Sequence, residues 1–166
     1  MPRKANLPKT KHTSNLEQQC QPVSMPAERS VLGALIEDDG LLAEVLEAGL
    51  RIDDFSLSEH RRVFESILML RRRNSPVDYV LVAEQLGNRQ TDYVLVASLI
   101  DGVVVHEDHV LHHVAIIRKK AKLRALLRIA DWLTRVVDET ADPDALIAET
   151  LGKLEALTVE EVADVR

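Results

Sequence analysis

Four of the six histidines fall close together, at His106, His109, His112 and His113. On a helix, His109 and His113 are one turn apart and could grip a divalent ion from one face, with Glu107 or Asp108 adding an oxygen. The zinc-protease order His-Glu-x-x-His is not met, because Val110 stands where the second histidine belongs. The segment reads instead as a solvated first helical turn whose Glu107 and Asp108 complement the helix dipole. Gly152-Lys153 lacks the preceding glycine of a phosphate loop, and neither a Gly-x-Ser-x-Gly elbow nor a Gly-x-Gly-x-x-Gly turn occurs. No catalytic, cofactor-binding or metal-binding residue is assigned, and no cofactor is expected.

Three basic clusters could grip single-stranded nucleic acid: Arg61 and Arg62; Arg71 to Arg73; and Arg118, Lys119, Lys120, Lys122, Arg124 and Arg128. Of these, Arg118, Lys119 and Lys122 are the candidate contacts. Against that use, the net charge is −6, and Arg3, Lys4, Lys9 and Lys11 against Glu17 make the first 25 residues +3, so the remainder carries −9. An acidic body suits broad phosphate neutralisation poorly, and 3% aromatics provide no base-stacking platform. Such runs more often form solvated helix faces balanced by neighbours such as Glu65 and Asp131.

The 166 residues suffice for one ordinary domain and a tail, but not for a recognition domain and a nucleotide-driven motor together. Six glycines, six prolines and 46% hydrophobic residues favour helices over strands and turns. Cys20 is the sole cysteine, so no internal disulfide forms, and no apolar run has the length of a membrane helix. A cytoplasmic protein is expected. Residues 1–22 read as a disordered basic tail, 23–158 as a helical domain (globule 23–120, hairpin 121–158), and 159–166 as a C-terminal tail.

The pattern predicts an all-α fold. A first helix begins near Pro26 with Val31, Leu32 and Leu35 on its apolar face, and Gly33 permits close approach of another helix. A second carries Leu41, Leu42, Val45 and Leu46 and ends near Gly49. Phe55 anchors the next loop. Ser56-Leu57-Ser58-Glu59 then reads as a capping box before a helix bearing His60, Phe64, Ile67 and Arg71, which Asn74-Ser75-Pro76 stops. His60 reads as a packing residue at the core edge. Asp78 caps a fourth helix through Leu86, where Val and Tyr leave a strand open; a fifth covers Tyr93 to Ile100, and Gly102 to Val105 reads as a loop.

Glu107 to Glu139 contains no Gly or Pro and would form a rod of roughly 50 Å at ~1.5 Å per residue. Leu123, Leu126, Ala130, Leu133 and Val137 step along one coiled-coil-like seam, while Ala125, Ile129, Trp132 and Val136 form another about 100° around the axis. A helix after Asp142-Pro143, with Ile147, Leu151 and Leu154 at helical spacing, completes an antiparallel hairpin. One companion helix cannot cover two seams, so a partner chain is expected, most simply another copy in a homodimer or higher homo-oligomer. The interface set is Leu123, Leu126, Ile129, Ala130, Trp132, Leu133, Val136 and Val137.

The string Pro26-Ala27-Glu28-Arg29-Ser30-Val31-Leu32-Gly33-Ala34-Leu35-Ile36 resembles the Ala-Glu-x-x-Val-Leu-Gly opening of the N-terminal domain of DnaB-type replicative DNA helicases. Asp54-Phe55, His60 to Phe64, Pro76-Val77-Asp78, Ala83 to Leu86, and Ile116-Ile117-Arg118 to Leu123-Arg124 continue the resemblance in order, over roughly Pro22 to Leu157. His106 departs from it, standing where that family usually has asparagine. The resemblance implies a small helical globule with a protruding hairpin, pairing through hairpins into a collar on a hexameric ring, and a docking surface for primase and, in some members, helicase loaders. The family's phosphate loop has no counterpart here, so its ATPase and helicase activities are not carried over. The expectation is a non-catalytic self-association and docking module, with primase, a helicase motor subunit or a loader as partner. The competing expectation is a nucleic-acid-binding regulator using the basic clusters and tail.

Overall fold

The computed structural model describes residues 22–103, 105–137 and 142–162; the tail expected over residues 1–22 lies outside them except for Pro22, as do the last four residues of the expected C-terminal tail. Among the described residues there are seven α-helices and no strand: α1 Met25–Glu37, α2 Leu42–Glu47, α3 Ser58–Arg72, α4 Tyr79–Leu86, α5 Gln90–Ile100, α6 Glu107–Val136 and α7 Pro143–Val162. Short 3-10 turns at Asp39–Leu41 and Ile52–Asp54 flank α2. The all-α expectation holds.

Helix α1 is central and packs on α3, α5 and α6. Its Val31, Leu32 and Leu35 are fully buried with Phe55, Val63, Phe64 and Ile67, and the Phe55 and Phe64 rings meet at 5.1 Å. Leu42 and Val45 of α2 join this core, whereas Leu46, expected on the same face, is exposed. Gly49, just past α2, takes φ +78, a left-handed conformation open to glycine at no steric cost. Asp78 caps α4 by accepting from the Leu81 amide at 2.9 Å, which decides for helix over strand there.

Gly33 is where α1 meets the end of α5. A Cβ at this position would overlap the Leu99 carbonyl oxygen and lie 2.6 Å from Val103 Cγ2. The obstacle is largely backbone, so Gly33→Ala is expected to cost about 1–3 kcal/mol and lower the melting temperature, measured by circular dichroism. An unchanged melting temperature would mean that the two helices are free to separate.

The capping box expected at Ser56 to Glu59 does not form. Helix α3 starts at Ser58, with Leu57 at the cap position, because the Ser56 amide donates to Glu28 Oε1 at 2.8 Å and holds the chain away from helical geometry. The N-terminal part of α6 buries Val110, Val114 and Ile117 in the globule, and the same unbroken helix continues outward to pair with α7.

Candidate interaction site

Glu28 of α1 is buried and accepts from Ser56; its Oε2 lies 2.6 Å from His60 Nδ1. His60 is packed away from solvent, as expected, and it also has a companion carboxylate. Its partner lies 32 positions away and no local motif announces it. Burial raises the Glu28 carboxyl, but contacts with His60 and Ser56 outweigh it and hold the group below its ordinary value of 4.5. A carboxylate depressed in the fold contributes stability that is present above the unfolded-state value and lost as pH falls through the folded one. Wild type is thus expected to lose melting temperature below about pH 4.5 more steeply than Glu28→Gln. Parallel acid limbs for the two proteins would show that Glu28 is not the group responsible.

Arg124 joins α6 to this region. Buried almost completely, it donates from Nη1 to the Pro22 carbonyl at 2.9 Å and from Nη2 to the Asp54 carbonyl. Arg61 Nε donates to the Phe55 carbonyl at 2.8 Å, and Arg62 Nη2 to the Leu86 carbonyl at 2.9 Å. Arg118 Nη1 reaches the Ala48 carbonyl at 2.6 Å. Leu86 ends α4 and Ala48 follows α2, so two of these arginines satisfy carbonyls that helix ends leave without intrahelical donors. Arg71 lies 3.7 Å from Asp39, and Arg73 donates to Gln85 at 3.0 Å. Much of what reads in sequence as a nucleic-acid grip tethers one element to another. Arg118, Lys119 and Lys122 nonetheless come together, lining a cavity of about 390 Å³ with Ala48, Ala115 and Leu123.

In the histidine segment the rings of His106 and His109 stack at 4.9 Å, and His112 and His113 lie 6.3 Å apart. Burial, reinforced by His112 and His109, lowers the His113 value. Among the described residues no three His, Cys, Asp or Glu side chains gather in a metal-holding group.

The two seams of α6 have different surroundings. Ala125 is buried, Ile129, Trp132 and Val136 are half-buried, and Lys153 Nζ of α7 sits 4.4 Å from the Trp132 ring centroid. This seam therefore lies toward α7 at Trp132. The other seam is open: Leu123, Leu126 and Val137 are 40%, 44% and 54% exposed, Ala130 is exposed and Leu133 half-buried. Leu127 is also exposed.

The face that α7 turns inward differs from expectation. Leu146 is buried and Thr150, Lys153 and Leu157 are half-buried, whereas Ile147 and Leu151 are 58% and 53% exposed and Leu154 is exposed. The stripe read from helical spacing, Ile147, Leu151 and Leu154, is thus the exposed one. The cause is visible in Lys153: its stem lies along α7 while its cation rests over Trp132, so a charged residue occupies the inward face. The exposed stripe of α7 adjoins that of α6, and a cavity of about 370 Å³ runs between them, lined by Leu133, Val137, Leu146, Ile147 and Leu151. The hairpin thus presents one aliphatic surface formed by both helices.

Residues 20–119 match the family described as DnaB-like helicase N terminal domain. The chain belongs to that family. Among its relatives, this DnaB-like N-terminal domain is 31% identical over 127 residues to the replicative DNA helicase DnaB of Treponema pallidum, covering 74% of this chain and 28% of that protein. It is 27% identical over 165 residues to the replicative DNA helicase DnaC of Bacillus subtilis, covering 92% of this chain and 36% of that protein. The chain thus spans about a third of the length of these relatives or less. The crystal structure of the N-terminal domain of DnaB helicase from Mycobacterium tuberculosis superposes with a TM-score of 0.74 at 27% identity, covering 82% of this chain and 99% of that one.

Proposed function

We propose that this DnaB-like domain is a non-catalytic self-association and docking module of the DNA replication machinery, working in the cytoplasm. The observation that carries the reading is the outward aliphatic surface of the hairpin, with Leu126 and Val137 on α6 and Ile147 and Leu151 on α7 each more than two-fifths exposed. Removing such surface from water yields ~25 cal/mol per Å², which favours association once the loss of rigid-body freedom is exceeded. A second copy supplies a matching surface, and a twofold arrangement closes on itself. The partners that fit family membership are primase, a helicase motor subunit or a helicase loader, docked on the assembled collar. Subunit mixing tests self-association: chains labelled separately with donor and acceptor dyes at Cys20 are expected to exchange into pairs showing energy transfer. No transfer at micromolar concentration would remove the proposal.

The nucleic-acid reading has support in the shared cavity of Arg118, Lys119 and Lys122. It is weakened by the use of Arg61, Arg62, Arg118 and Arg124 as donors to backbone carbonyls. Fluorescence anisotropy with labelled single-stranded DNA is expected to show no binding at low salt. Binding that falls steeply as salt is added would favour the regulator instead.

A further inference from the structure

Helix α6 is held to the globule over a short base and carries a long overhang. Its apolar hold is Val110, Val114 and Ile117, buried at i, i+4 and i+7 and so spanning two turns, about 10 Å. From Ile117 to Val136 the same helix runs on for about 28 Å, and among the described residues none of its side chains outward of Ala125 is buried. Trp132, half-buried, lies under Lys153 of α7 rather than against the globule. With no Gly or Pro to bend it, α6 carries a tilt at its base out to its tip. A tilt of about 10° about Ile117 would displace Val136 by about 5 Å.

Two arginines lengthen the base. Arg118 Nη1 donates to the Ala48 carbonyl at 2.6 Å, but it stands only one residue beyond Ile117. Arg124 stands seven residues beyond Ile117, about 10 Å, and so doubles the base. Its Nη1 donates to the Pro22 carbonyl at 2.9 Å and its Nη2 to the Asp54 carbonyl, one in the segment before α1 and the other in the turn before α3. Acceptors on two separate segments restrain the helix against tilting in more than one direction, and only a planar guanidinium reaches both at once. Ala125 beside it is buried but offers only a methyl group. Glu28, held by the Ser56 amide and His60, supplies a negative charge that offsets the buried cation.

We propose that Arg124 is the positioning residue of the hairpin: its two carbonyl bonds, more than apolar packing, fix the direction in which α6 and α7 leave the globule. The consequence for assembly rests on the self-association reading: that direction then sets how two paired copies place their globules.

Electron–electron double resonance on the full chain tests this. Nitroxides are placed at the exposed positions Arg72→Cys, at the end of α3, and Ala145→Cys, at the tip of the hairpin, in a Cys20→Ser background. Labelled chains are diluted into an excess of unlabelled ones, so only distances within one chain are read, and the result answers for Arg124 whether or not the chains associate. The distance distribution is expected to be at least twofold wider in Arg124→Gln than with Arg124 intact, and to have an intermediate width in Arg124→Lys. Gly33→Ala, which loses stability at the α1–α5 contact instead, should leave the width unchanged. Should Arg124→Gln fail to fold, the wider distribution of Arg124→Lys still decides. A width unchanged in the Arg124 variants would overturn the proposal and assign the direction to apolar packing. A width that grows equally in Gly33→Ala would also overturn it, because general loss of stability would then be the cause.

Discussion

Arg124→Ala is expected to lower the melting temperature by roughly 10 °C. The buried guanidinium donates to the carbonyls of Pro22 and Asp54, joining α6 to the segment before α1 and to the turn before α3. Truncation leaves both carbonyls without this donor, at about 1–3 kcal/mol for each that remains buried and unsatisfied. It also removes a cation whose field acts with Glu28 and Asp54. Arg124→Lys should recover only part of the loss, because an ammonium lacks the planar fork that reaches two acceptors at once. Thermal unfolding followed by circular dichroism measures both. A melting temperature within a degree or two of wild type for Arg124→Ala would show that α6 is held by apolar packing alone.

Leu126→Glu is expected to weaken self-association by about 30- to 100-fold, equivalent to about 2–3 kcal/mol, while leaving helix content unchanged. Leu126 is 44% exposed on the open seam, so a carboxylate there is solvated in the separate chain and is desolvated only when a partner covers it. Ile129→Glu is a different experiment. Ile129 is half-buried on the other seam, and a charge there should disturb the chain's own hairpin and lower its melting temperature. The pair separates an interface effect from a folding effect. Equal loss of stability in both variants, with no change in association, would contradict the division between the two seams.

The fold was legible where periodicity and punctuation agreed. Asp78 before Leu81, Gly49 after α2, and the stretch free of Gly and Pro that became α6 each act locally, through a cap, a permitted positive φ or an uninterrupted hydrogen-bond ladder. Gly33 was also readable, since a glycine inside an apolar helical face has few reasons other than a close neighbour. The inward face of α7 was not legible: Lys153 belongs there only through Trp132, a residue on another helix. Glu28 with His60, and Arg124 with Pro22 and Asp54, were missed for the same reason, because each joins residues far apart in sequence. Charge runs named the arginines but could not distinguish a solvated guanidinium from one donating to the end of a neighbouring helix.

The most direct measurement is sedimentation equilibrium of the unmodified chain across the micromolar range. Covered hairpin surfaces require a mass of at least twice 18.6 kDa that falls toward the single-chain value on dilution. A chain that stays at 18.6 kDa throughout, with its helices intact, would mean that water alone faces Leu126, Val137, Ile147 and Leu151.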